Sequence, residues 1–221
     1  MTPFEILVSA GPAFLRGLRV SMTVWLLACV FGTALGIIAG WFLYRARGAS
    51  TITRLAVNAV PEILKSLPVL VLLVWFHYLL PYYLGLSVSP LLTAVVVFTL
   101  IVMVGVGEIV QSAIANLPRG EIEAGHAIGL APIDVGRLIA LPLAFRSASP
   151  ALILLYIDVL KLSTLASAIA LEELLHVTDT VIAKTYVAVP AYTALAIVFL
   201  ALILPLNWAA KKYSESLGVV R

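Results

Sequence analysis

Three stretches of this 221-residue chain contain no Asp, Glu, Lys or Arg: residues 20–44, 66–107 and 185–210. A helix crossing about 30 Å of hydrocarbon needs about 20 apolar residues in a row, and a buried helix of a soluble domain has no need of such a run. Only 11% of the residues are charged and 62% are hydrophobic, whereas a soluble domain carries roughly a quarter of its residues as charges to cover its surface. The chain is therefore an all-α, polytopic membrane protein. Its formal net charge of +3 speaks to topology rather than to nucleic acid, because basic residues in such chains mark one side of the bilayer. Cys29 is the single cysteine, so no intramolecular disulfide forms, and its apolar surroundings suit a small packing residue. Met1 to Ala10 lacks a positive n-region and contains Glu5, so a secretory signal is not expected there.

The apolar runs divide into five expected spans, at about 20–44, 55–80, 90–110, 147–171 and 185–210, forming one transmembrane domain over residues 1–221. Gly32, Gly36 and Gly40 recur every four residues in the first span, a spacing that lines one helix face and admits a close neighbour. Pro81 to Pro90, PYYLGLSVSP, is an uncharged aromatic turn between the second and third spans. One set of loops carries Arg45, Arg47, Arg54, Arg119, Arg137, Arg146, Lys211, Lys212 and Arg221, and the other only Arg16, Arg19 and Lys184. The positive-inside bias puts the C-terminus in the cytoplasm and the N-terminus outside. Arg16 and Arg19 go against it, and are expected in an amphipathic segment, Pro3 to Leu18, lying along the outer interface.

The long cytoplasmic segment, residues 115–145, contains two short helical signals. Pro118-Arg119-Gly120 breaks the preceding helix, and Glu121 and Glu123 open the next one, where carboxylates favour the positive helix end. Ala124, Gly125, Ala127 and Ile128 give a smooth surface, and Gly129 is a stop. Pro132 begins a further helix and Pro142 is expected to end it. Such a short helix either packs at the membrane surface or fits a groove on another protein.

EAGHAIG (Glu123 to Gly129), followed nine residues later by IALP (Ile139 to Pro142), resembles the "EAA" signature of ATP-binding-cassette importer permeases, with Gly125 in place of the second alanine. The likeness covers nearly the whole chain and narrows to the polar amino-acid (histidine, glutamine, arginine and opine) permease family. Val60 to Pro81, Gly107 to Leu130 and Tyr156 to Leu175 are each similar to a segment of that family. The resemblance implies a type I importer permease fold, in which the EAA segment is a coupling helix seated in a cleft of a cytoplasmic ATPase. Glu123, Ala124, Gly125, Gly129 and Pro142 are the coupling residues so implied. The implied partners are a second permease subunit (a copy or a different chain), two ATPase subunits and an extracytoplasmic solute-binding protein. The chain has no G-x-x-x-x-G-K-S/T loop, so it is not expected to be an enzyme or to bind a cofactor. ATP and Mg belong on the partner ATPase. The family's LKDTSL motif reads Leu160-Lys161-Leu162-Ser163-Thr164-Leu165 here, with apolar Leu162 at the acidic position. A heterodimer whose other subunit carries the recognition charge, or a different solute, would account for that. An ion-coupled secondary transporter is a further alternative, weakened by the lack of a detectable inverted repeat.

Charges at depth face a pathway or a partner. Glu62 with Lys65, and Asp158 with Lys161, stand three residues apart and are expected to pair on one helix face, either as packing pairs or along the solute path. Glu108, without an opposite charge nearby in sequence, is expected to make a tertiary contact. Pro68 and Pro81 are candidate breaks that free backbone groups. His77 reads as a hydrogen-bonded interior residue, and with His126 and His176 scattered no metal site is expected. Glu172 and Glu173 read as a solvated acidic face before the last span.

Overall fold

The computed structural model describes residues 2–46, 48 and 50–216. Arg47 and Arg221, two of the residues used to assign topology, lie outside the described residues. Nine helical runs follow one another among them: α1 (Pro3–Ser9), α2 (Gly11–Ala46), α3 (Thr51–Ser66), α4 (Val69–Leu84), α5 (Pro90–Ala115), α6 (Arg119–Ala127), α7 (Ile133–Ile169), α8 (Leu174–Thr185) and α9 (Ala188–Ser216). Four of these (α2, α5, α7 and α9) are each long and apolar enough to cross a membrane, and α3 with α4 makes a fifth, broken span.

The core is built on a close contact between α2 and α5. A Cβ on Gly32 would lie 2.5 Å from Val102 Cβ, one on Gly36 2.6 Å from Val106 Cβ, and one on Gly40 2.7 Å from the Gly107 carbonyl. Both numberings rise together, so the two helices run parallel, which the intervening return leg through α3 and α4 requires. Without a hydrophobic drive between helices in lipid, this backbone approach is what holds them. Trp25 Nε1 donates to the Tyr156 carbonyl at 2.7 Å, and the Thr33 and Tyr156 hydroxyls bond at 2.7 Å, fastening α7 to α2. His77 Nδ1 bonds the Thr93 hydroxyl at 3.0 Å, an interior contact between α4 and α5. Phe98, Val97, Val102, Val106, Leu73 and Ala166 fill the centre. A second core of Ile6, Phe14, Leu174, Ala191 and Ala194 joins α1, α2, α8 and α9.

The helices depart from the sequence expectation at their ends and at the prolines. The helix that carries the first expected span does not start at Val20. Thr2 and Glu5 form a capping box on α1, the chain turns at Ala10, and α2 then runs unbroken from Gly11. Arg16 and Arg19 therefore stand on the spanning helix itself, and only Pro3–Ser9 forms the separate piece. The second span bends by 98° between Ser66 and Val69. Pro68 has no N–H and forces Leu67 into extended backbone (φ −97°, ψ 133°), so no straight helix can pass.

The expectation that Pro142 ends a short helix is corrected: the helix passes through it. A wide π-turn, Gly136–Ala140, precedes it, with the Leu141 N–H bonded to the Gly136 carbonyl five residues back. The same arrangement stands before Pro81, where Trp75–Leu79 is a π-turn and the Leu80 N–H bonds the Trp75 carbonyl. In both places the pattern is π-turn, Leu, Pro. The widened turn moves the carbonyl that the proline ring would otherwise meet. The helix of the fourth expected span is accordingly α7, which begins well before Ser147.

Candidate functional site

Glu108 and Ser112 of α5 and Asn116, which caps its end, stand at four-residue spacing, and α7 presents Ser147 and Ala151 across from them. Together they line a cavity of about 340 Å³. The face continues along α7 through Leu154 to Asp158 and Lys161, all exposed. At one side of it Lys65, at the end of α3, reaches Glu108 at 2.5 Å and Glu62 at 3.4 Å. The tertiary contact expected of Glu108 is thus made, and it bridges the bent end of α3 to α5. Lys161 and Asp158 pair at 2.9 Å. Every expected pair forms, and all five side chains remain between 42% and 69% exposed. Charges left open on the side of an apolar bundle require a wet pathway or a protein partner, because hydrocarbon cannot solvate them. Leu162 is not on this face and packs against the main core.

The segment 115–145 folds as α6 laid against the start of α7. Gly125 is the buried residue of α6, and a Cβ there would sit 2.6 Å from Ile139 Cδ1 and 3.2 Å from Val135 Cγ2. This accounts for glycine where the resembling motif has alanine. Gly129 takes φ +82°, and the Leu130 N–H returns to the Gly125 carbonyl at 3.2 Å. That left-handed turn is the glycine C-terminal stop expected there. With Gly125 turned inward, α6 leaves Glu123, Ala124, Ala127 and Ile128 exposed, Ile128 at 77%. Pro142 lies beyond the π-turn and is not on this surface.

Glu172 is exposed, but Glu173 is fully buried, contrary to the solvated acidic face expected of the two. Its carboxylate accepts from the Leu175 and His176 N–H groups, both at 2.9 Å, capping α8. Gly17 of α2 lies against its backbone. Sequence reasoning missed it because glutamate is not a favoured cap residue; the small Gly17 and Ser21, whose hydroxyl accepts the Leu174 N–H at 3.3 Å, are the only hint. Burial raises the carboxyl to about 7, the two N–H groups pull it down, and Asp179 adds to the rise. A carboxyl raised in the folded state stabilises it fully below its ordinary value near 4.5, and that contribution is lost as pH rises through about 7. Thermal unfolding is therefore expected at lower temperature at pH 8 than at pH 5, by about 3 kcal/mol in stability. Glu173→Gln should flatten this slope; an unchanged slope in that variant would refute the assignment.

The sequence profile described as "Binding-protein-dependent transport system inner membrane component" matches residues 32–217. The glutamine transport system permease protein GlnP of Escherichia coli (strain K12) is 25% identical over 212 residues, covering 96% of this chain and 95% of that one. The L-cystine transport system permease protein TcyB of Bacillus subtilis (strain 168) is 29% identical over 167 residues, 75% of this chain and 69% of that one. Among solved structures, a crystal structure of an amino acid ABC transporter with histidines aligns at a TM-score of 0.86 and 21% identity, covering 96% of this chain and 98% of that one. The inward-facing MetNI methionine ABC transporter aligns at 0.77 and 24% identity, covering 96% and 99%. At those identities the structural likeness speaks for the fold, that of a type I importer permease. With most of its length inside the family match, the chain belongs to the inner-membrane components of binding-protein-dependent transport systems.

Proposed function

We propose that this chain is the pathway-forming subunit of an ATP-driven importer of polar amino acids, working by alternating access. Its partners in this reading are a second permease subunit (a copy of itself or a different chain), two cytoplasmic ATPase subunits that hold ATP and Mg, and an extracytoplasmic solute-binding protein. The observation that carries the reading is the open polar face from Asn116 and Ser147 to Asp158 and Lys161. Closed by a second subunit, it becomes a wet route between two protein walls. The chain is oriented with its C-terminus and α6 in the cytoplasm and its N-terminus outside, since Arg45, Arg54, Arg137, Arg146, Lys211 and Lys212 gather at one end.

In this reading α6 transmits the ATPase stroke. Glu123 and Ala124 meet the ATPase, Gly125 locks the lever to α7, and Gly129 fixes its end. Pro142 acts only through the π-turn it imposes on α7. Glu62, Lys65, Asp158 and Lys161 border the solute route. The solute is an amino acid in its zwitterionic form, as the names of the glutamine and L-cystine permeases suggest. Asp158 and Lys161 offer one charge of each sign, and Leu162 supplies no acid for a cationic side chain. The packing of Leu162 into the core also favours a second reading, in which the partner permease contacts the solute and this chain closes the route.

The reversal Asp158→Lys with Lys161→Asp tests the pathway role. It keeps the pair and inverts the local field, and an opposing contribution of about 1.4 kcal/mol lowers solute occupancy about tenfold. The complex is expected to assemble while uptake falls by that order. Full uptake by the double variant would show the pair to be packing alone.

A further inference from the structure

A second cavity, about 430 Å³, lies on the other side of the α5–α7 layer. Val110 and Ser149 line it, each two positions along the helix from Glu108 and Ser147 and so more than half a turn round. Thr33 and Ile37 of α2, Leu141, Phe145, Leu152 and Tyr156 of α7, and Tyr213 alone from α9 complete its main walls. The Thr33 and Tyr156 hydroxyls bond each other, Ser149 donates to the Arg146 carbonyl at 3.0 Å, and the wall holds no charged side chain. A charged solute meets no opposite charge there. The volume is within the roughly 300–1,000 Å³ of sites that hold single small ligands.

The cavity is apolar at depth and leads toward the basic end of the chain. The stripe Thr33, Ile37 on α2 continues one turn on to Trp41 and then Arg45, whose guanidinium lies 6.0 Å from the Trp41 ring centroid. On α7 the stripe Phe145, Leu141 continues to the exposed Arg137. On α9, Lys212 precedes Tyr213 and stands 5.2 Å from the Trp208 ring centroid. Trp41 and Trp208 are themselves 50% and 66% exposed, as aromatic anchors at the headgroup level are. The acids on the same end are Asp134, one turn before Arg137, Glu215, 4.0 Å from Lys211, and Glu121 and Glu123, exposed on α6.

We propose that this cavity binds one acyl chain of an acidic phospholipid, with its phosphate between Arg45 and Arg137. The apolar depth takes the chain, and the cations at its mouth select the negative headgroup. The lipid fills the space between α2 and the end of α9, where, among the described residues, Tyr213 is the only side chain of α9 to line the wall.

The test uses the chain in its complex as isolated from membranes, placed in nanodiscs with phosphatidylglycerol or phosphatidylcholine of identical chains. Lipid retained after extraction into mild detergent is read by native mass spectrometry. Two cations at the mouth should favour phosphatidylglycerol by roughly tenfold. The double variant Arg45→Gln, Arg137→Gln should bring the two lipids to parity, and because both residues are exposed its assembly should be unaffected. Ile37→Trp, at a half-exposed rim position, should reduce retention of both lipids. Equal retention of the two lipids by the native complex would overturn the proposal. So would full retention in Ile37→Trp, or a photo-crosslinker at Ile37 that captures another protein chain instead of lipid. Solute uptake measured in parallel separates failure of this site from failure of the transport reading, since neither substitution touches the polar face.

Discussion

Gly36→Leu is expected to stop the chain from accumulating in the membrane. Any Cβ at this position meets Val106 Cβ at 2.6 Å and the Met103 carbonyl oxygen at 2.8 Å. Neither can rotate away, because one is a branched carbon fixed to its backbone and the other is backbone. Inserting atoms into a well-packed core costs about 1–3 kcal/mol even where side chains can move, so here α2 and α5 must separate instead. Trp25 and Thr33 would then lose their bonds to Tyr156, since both depend on the position of α2. Gly11→Ala is the control, because nothing lies within 4 Å of a Cβ there. Membrane yield and detergent-solubilised melting temperature check both. Near-normal yield of Gly36→Leu would mean that the α2–α5 contact is not what organises the bundle.

Ala124→Trp is expected to leave the permease folded and to abolish coupled transport. Ala124 is exposed on α6 while Gly125 faces Ile139 and Val135, so an indole at 124 projects away from the chain's own packing. If α6 fits a cleft in the ATPase, the indole prevents a close fit, and receptor-stimulated ATP hydrolysis should fall by about two orders of magnitude, equivalent to about 3 kcal/mol of lost contact. Gly129→Val acts differently. It forces a β-branched residue to φ +82°, at about 1–2 kcal/mol for the left-handed conformation alone, and should loosen α6 itself. Stimulation unchanged in Ala124→Trp would remove α6 from the coupling role. Loss in Gly129→Val without loss in Ala124→Trp would make the segment a packing helix.

The parts of the fold that are written in period and charge are legible in the residues themselves. The charge-free runs mark the spanning helices, Gly32, Gly36 and Gly40 announce a close helix contact, and Gly129 announces the end of α6. Three-residue spacing points to both ion pairs, and Glu108 finds in α3 the partner it lacks nearby in sequence. The prolines are less legible. Pro68 does break its span, while Pro81 and Pro142 do not, because a π-turn two residues earlier absorbs each. Nothing in WFHYL or GRLIA marks that turn, since it is a response of the ladder to the proline and to packing. Glu173 is hard to read for a related reason: two adjacent glutamates look solvated until the chain turns one of them under α8. The polar face on α5 and α7 has only half its signal in sequence. The charges stand out, whereas Ser112, Asn116 and Ser147 gain meaning only when two helices distant in sequence lie side by side.

The most direct test of the transport reading is solute uptake in proteoliposomes holding this chain with its partner permease and ATPase. Labelled glutamine and L-cystine are presented with the binding protein on the outer side, and ATP is enclosed on the side of α6. Uptake is expected only when binding protein and ATP are both present, and it should persist when ion gradients are collapsed. Uptake by the chain alone, driven by an ion gradient without ATP, would contradict the account.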